Sequence, residues 1–310
     1  MIKYLVILLD DTSVSYCHYD NPSRQSSLIP IDALREGIFY AMTENLLVQF
    51  VYPEYRLPEE YEEAVETVNH VKIVPAASPY TGDVVVIGWD MVAKFAGHVP
   101  SLVVRADMAE LTGGYEELCN LFDKADKVNV VIKDVTSISD DGFKVYYETL
   151  GKLSDILKER YAEGRAVQLN IVTDRMMLSA MNNCNAGSEN ITLAPDGRFY
   201  VCPAFYYEGL FSIGSLKDGL DIRNPQLYRL DHAPLCRNCD AYQCRRCIWL
   251  NQKTTLEVNT PSHEQCVAAH HERTASGNFL KVLKSQGYFL QCDDIKEVSY
   301  LDPFDVRNEF

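Results

Sequence analysis

The sequence is 310 residues long, 47% hydrophobic and 24% charged, with a formal net charge of -15. That length allows one large domain or two smaller ones, and the charge argues against a nucleic-acid backbone or an anionic membrane as partner. No stretch is long and apolar enough to span a bilayer.

The first apolar run, residues 4–9, stops at Asp10 and Asp11. It therefore reads as a buried strand rather than a signal or membrane helix, and the expected location is the cytoplasm. A helix is expected over 31–45, an apolar strand over 46–51, an acidic helix over 58–69 and a strand over 71–74. Strands at 84–88 and 102–105 continue the series. A helix at 115–125, a strand at 128–132, a long helix at 141–162 and a strand at 167–172 complete it. Apolar strands alternating with amphipathic helices imply an α/β fold with a parallel sheet. About six such units predict a partial (βα)6-like barrel rather than a complete eightfold one. Near Met176 the texture changes: Gly, Pro, Asn and Asp become frequent and apolar periodicity fades. The expected division is a barrel over residues 1–176 and a cysteine-rich, loop-rich domain with a C-terminal helix and tail over 177–310. A region with so little apolar sequence can be organised by metal instead of by a core.

The chain has ten cysteines. Thiols stay reduced in the cytosol, so disulfide staples are not expected there. Cys17 and Cys119 stand alone in the first half, whereas Cys184, Cys202, Cys236, Cys239, Cys244, Cys247, Cys266 and Cys292 crowd the second. Cys119 falls inside the helical 115–125 run and reads as a core thiol. In one block, Cys184 is followed after twelve residues by Gly197 and after four more by Cys202. Asp196-Gly197 is a tight-turn signal, so a hairpin is expected to bring Cys184 and Cys202 together. The other block is Cys236-Arg-Asn-Cys239, four residues, Cys244-Arg-Arg-Cys247, and Cys266 after eighteen more. Clustered thiols in a reducing compartment point to metal. Zinc is one reading, but zinc ribbons separate their CxxC pairs by roughly fifteen to twenty residues, and zinc leaves Cys184, Cys202 and Cys266 without a role. Iron–sulfur clusters use them all, and Arg237, Arg245 and Arg246 suit a cationic shell around anionic clusters. His18, His263, His270 and His271 fit no motif. Glu59-Glu60 and Glu62-Glu63 read as a solvated helix face.

The stretches CNAGSENITLAPDGRFYVCPAF, SIGSLKDG and CRNCDAYQCRRC, with the final Cys266, resemble the SPASM domain. That domain ends many radical S-adenosylmethionine (SAM) enzymes that modify ribosomally made peptides. Seven cysteines come in the family's order over residues 184–266. Two spacings in the second block are each one residue shorter than usual, and Arg245-Arg246 stands where glycine is frequent. The resemblance implies two 4Fe–4S clusters, one held by Cys236, Cys239, Cys244 and Cys266, the other by Cys184, Cys202 and Cys247. Eight ligands are needed and seven cysteines are supplied. The eighth is open among Cys292, Cys17, another side chain, water, or none from this chain.

The resemblance also implies a radical SAM barrel before the SPASM domain. Such barrels carry CxxxCxxC after the first strand, since three thiolates leave one iron free for SAM. Here Asp10 and Val14 occupy the first two of those places and Cys17 the third, so Cys17 reads as a leftover. After the second strand the family's Gly-Gly-Glu is replaced by Tyr52-Pro53-Glu54. No SAM is therefore expected on this chain. With an opening like LVILLDDTSVSYCHY and a SPASM end, the chain resembles the CXXX repeat peptide maturase family. That implies two partners, a cysteine-rich precursor peptide and a radical SAM enzyme. The chain's expected role is electron transfer or substrate binding in peptide maturation, or autonomous modification of the peptide. A zinc-stabilised structural protein is the alternative of a different class.

Overall fold

The computed structural model describes residues 1–296; the expected tail over 297–310 lies outside the described residues. In chain order the elements are β1 (Tyr4–Leu8), α1 (Ile31–Thr43), β2 (Leu47–Val51), α2 (Glu59–Val65), β3 (His70–Pro75) and β4 (Val84–Gly88). Then come β5 (Val99–Ala106), α3 (Met108–Gly113), α4 (Tyr115–Cys119), β6 (Ala125–Ile132), α5 (Asp140–Ala162), β7 (Gln168–Leu169) and α6 (Asn170–Met177). The cysteine-rich part adds β8 (Asn190–Leu193), β9 (Phe199–Tyr200), α7 (Pro203–Tyr207), β10 (Gly214–Ser215), β11 (Gly219–Leu220), α8 (Ile248–Thr255) and α9 (His263–Ser285). Among the described residues no helix is long and apolar enough to cross a membrane.

Two compact units form, each from two separate stretches of chain. The first joins Met1–Val86 to Cys184–Ala233, and the second joins Ile87–Asn183 to the chain from Pro234 onward. In the first unit β1 lies between two parallel neighbours, with Tyr4 opposite Leu47 of β2 on one side and Asn190 of β8 on the other. β3 and β4 extend the parallel series beyond β2. Leu5, Ile7 and Leu8 are fully buried, as a strand covered on both faces requires. Gly37 lets α1 close onto this sheet: a Cβ there would come within 2.4 Å of the Leu193 side chain. The predicted hairpin forms, with Thr192 opposite Tyr200 and Leu193 opposite Phe199. Gly197 takes φ 75° at its tip, where the Asp196 carboxylate accepts the Arg198 backbone N–H.

In the second unit β5 and β6 run parallel over their whole length, from Val99 opposite Ala125 to Ala106 opposite Ile132. Phe143, Tyr146, Leu150, Leu153, Leu157 and Tyr161 form the buried face of α5, at intervals of three and four residues. Tyr161 meets Phe279 of α9 edge-on at 5.8 Å. Two expected elements differ. The helix at 115–125 stops at Cys119, and β6 already begins at Ala125. The strand at 167–172 is only β7, and the chain turns into α6 at Asn170. There the Asn170 side chain accepts from Val130 N–H at 2.8 Å and donates to Val130 C=O at 2.9 Å. The amide thus replaces the next backbone rung of the sheet and frees its own main chain to become helical.

Candidate metal centre

The second unit presents Cys236 in a short 3-10 turn, Cys239 just after it, Cys244 in the following loop, Cys247 as the residue before α8 and Cys266 in the first turn of α9. Burial pushes the Cys236 thiol up to about 11, helped by Cys239 and opposed by the guanidinium of Arg246. Burial takes Cys244 to about 12, with Cys236 and Cys239 adding to the shift. Cys239 is also raised, by burial first, while the N–H of Ala241, 3.5 Å from its sulfur, works the other way. These three thiols lie within electrostatic reach of one another, in surroundings that keep them protonated until a metal takes the proton's place.

Helix α9 faces this loop through one stripe. Cys266, His270 and Arg273 recur at i, i+4 and i+7 and so share a face. The Nε2 of His270 is 4.0 Å from the Cys239 sulfur. Arg273, only 2% exposed, donates twice to the Asp240 carboxylate at 2.6 Å. Arg175 of α6 adds a contact to the same carboxylate at 3.4 Å. Burial opposes the charge on Asp240, but the two guanidinium groups outweigh it and hold the carboxyl below its ordinary range. The loop is therefore pinned at the residue next to Cys239, and Cys266 projects from the face that pins it. His270 fitted no sequence motif; its spacing from Cys266 was the signal available.

Arg246 is buried at 2% exposure against Cys236, and its backbone has φ 36°. That is the left-handed region, where glycine is favoured. A buried cation beside buried thiols fits a centre that becomes anionic when thiolates and sulfide assemble on iron. The donor set of this loop, thiols with cationic and N–H partners, suits an iron–sulfur cluster. Among the described residues no three His, Cys, Asp or Glu side chains stand together within reach of a single metal ion. No disulfide joins the cysteines among the described residues.

In the first unit, Cys202 immediately precedes α7, and Cys184 lies in the exposed approach to β8. Both neighbour the buried Tyr16 hydroxyl, as does Cys17. The loop after β1 is organised around Asp10, which is fully buried. One carboxylate oxygen accepts from the backbone N–H and hydroxyl of Thr12. The other accepts from Ser26 Oγ and Tyr55 OH, each at 2.9 Å. Val14 is tied by its N–H to the carbonyl of Tyr52, and Glu54 is exposed at the bend after β2. Cys119 bonds the carbonyl of Tyr115 one helical turn back, as a structural thiol does.

No protein-family model matches the chain, and no curated protein does. Solved structures do. One is anSMEcpe with bound AdoMet, at TM-score 0.60 and 12% identity, covering 91% of this chain and 96% of that one. Others are anSMEcpe with AdoMet and the Cp18Cys peptide, at TM-score 0.58, 11% identity and coverage of 92% and 100%, and with the Kp18Cys peptide, at 0.59, 12%, 91% and 99%. The chain has the fold of anSMEcpe. The shared fold is α/β with a mostly parallel sheet, as in a partial barrel.

Proposed function

We propose that this chain is a cytoplasmic SPASM protein with two 4Fe–4S clusters that acts in maturation of a cysteine-repeat (CXXX) peptide beside a radical SAM enzyme. Its ligands would be Cys184, Cys202, Cys247, Cys236, Cys239, Cys244 and Cys266. The observation that carries this reading is the convergence of Cys236, Cys239 and Cys244 in a loop clamped by Arg273 and neighboured by the buried Arg246. Iron–sulfur clusters supply one-electron transfer. This chain's own residues bury the thiols, fix the loop and provide the cations that favour a reduced, more negative centre. The fold is shared with a protein whose structures hold AdoMet and a peptide, Cp18Cys or Kp18Cys, which supports a peptide as the partner.

A role as electron-transfer or substrate-binding component, without its own SAM, is supported by the loop after β1. Both oxygens of the Asp10 carboxylate are engaged where the family would place its first cluster thiolate. Anaerobic purification with iron, sulfide and zinc analysis tests the cluster assignment: a brown protein with iron and acid-labile sulfide is expected, and a colourless one carrying zinc would refute it. Calorimetry with SAM should show no binding. Formation of 5′-deoxyadenosine on reduction, without any partner protein, would refute the accessory role.

A further inference from the structure

By spacing alone Cys17 reads as a leftover of a lost SAM loop, but the first unit gives it a different setting. Tyr19, two residues on, stacks on Tyr207 with ring centroids 5.6 Å apart, and Tyr16 packs edge-on against Tyr19 at 6.0 Å. Cys17 lies between those two tyrosines in the chain. Tyr207 belongs to α7, and Cys202 is the residue just before the first turn of that helix. Tyr206 of the same helix donates its hydroxyl to Asp11, which ties α7 to the loop after β1 a second time. The Tyr16 hydroxyl has Cys17, Cys184, Cys202 and Tyr207 as its charged or titratable neighbours. The Tyr207 hydroxyl, for its part, is buried on the side of Asp11 and Asp10, the residues that open the same loop.

We propose that Cys17 is a thiolate ligand of the same iron–sulfur cluster as Cys184 and Cys202. This rests on the two-cluster reading above. It raises the thiols offered to two four-iron clusters from seven to eight. The loop after β1 would thereby keep a thiolate for iron, redirected to the auxiliary cluster.

The test uses the full chain, purified anaerobically with its iron. The parent should carry about eight irons for two four-iron clusters. Cys17 should resist iodoacetamide, read by peptide mass spectrometry, until iron is removed with a chelator. Cys17→Ser should lose about half the iron, or keep it with an altered electron paramagnetic resonance spectrum of the reduced protein. Cys292→Ser and Cys119→Ser should match the parent in both. The assignment is overturned if Cys17 is alkylated as fast with iron as without it, or if Cys17→Ser keeps eight irons and an unchanged spectrum. Iron and sulfide present with either of those results would leave the two-cluster reading standing. A colourless parent would overturn both. The alkylation readout needs no substitution, so a variant that fails to fold does not decide the matter.

Discussion

Arg246 keeps a backbone conformation that costs a non-glycine residue roughly 1 kcal/mol or more, and its guanidinium lies against Cys236. Replacing it with glycine should relax the backbone and remove the cation. The expected result for Arg246→Gly is a fall of some tens of millivolts, on the order of 1 kcal/mol, in the midpoint potential of the cluster beside it, because a reduced cluster is more negative. Arg246→Lys should recover part of that fall; equal potentials in potentiometric titration would show that the cation is not felt. Glu272 makes a second residue-scale case. Burial pushes its carboxyl up to about 7, against hydrogen bonds from Tyr146 and Gln243. The folded state therefore holds a proton that the unfolded chain releases near pH 4.5. Stability tied to this group is greatest below that pH, falls as pH rises, and levels off above about 7. Gln243 Oε1 has no partner among the described residues, so the neutral amide of Glu272→Gln can donate to it. That variant should match the parent near pH 5 and exceed it above pH 7 by on the order of 1–2 kcal/mol, measured by thermal unfolding under nitrogen.

At the scale of elements, α9 is the organiser of the second unit. Its start is fixed by a capping box in which Ser262 and Gln265 exchange bonds with each other's backbone, which sets the rotation of Cys266, His270 and Arg273. Arg273→Ala leaves the Asp240 carboxylate with only the longer Arg175 contact. The expected cost is about 2–4 kcal/mol, with faster iron release to a chelator. Cys239→Ser should expose the cysteine-rich part of the second unit to limited proteolysis while β1 to β3 stay resistant, since metal binding there is folding energy. A digestion pattern identical to that of the parent would refute this. The strand and helix series was legible because buried parallel strands are written as runs of Val, Ile and Leu. The hairpin was legible because Asp-Gly selects its turn. The end of β7 was not, because 167–172 stays apolar through the point where Asn170 leaves the sheet, and the Val130 backbone it bonds is forty residues away. The seven cysteines proposed as ligands stand out by spacing alone. What surrounds them does not: Arg273 with Asp240, His270 with Cys239 and Tyr207 with Tyr19 are long-range pairs that no local pattern encodes.

At the scale of the whole molecule, each unit needs a stretch from both ends of the middle. Residues 1–183 contain β1, β2 and β3 but not β8, so one edge of β1 has no partner in that fragment. The fragment should therefore show poor hydrogen-exchange protection at Tyr4 and Val6, whose N–H groups face β8 and which the full chain protects strongly; equal protection would show that β8 is dispensable to the unit. The same connectivity sets a schedule on the ribosome. At about 5–20 residues per second, β8 is made roughly ten to forty seconds after β1. During that interval a flat, apolar strand edge is open to pairing with other nascent chains. A chaperone that shields the emerging N-terminus, or slow codons placed to pace its release, should therefore raise the yield of this protein more than any change to its cysteine loop.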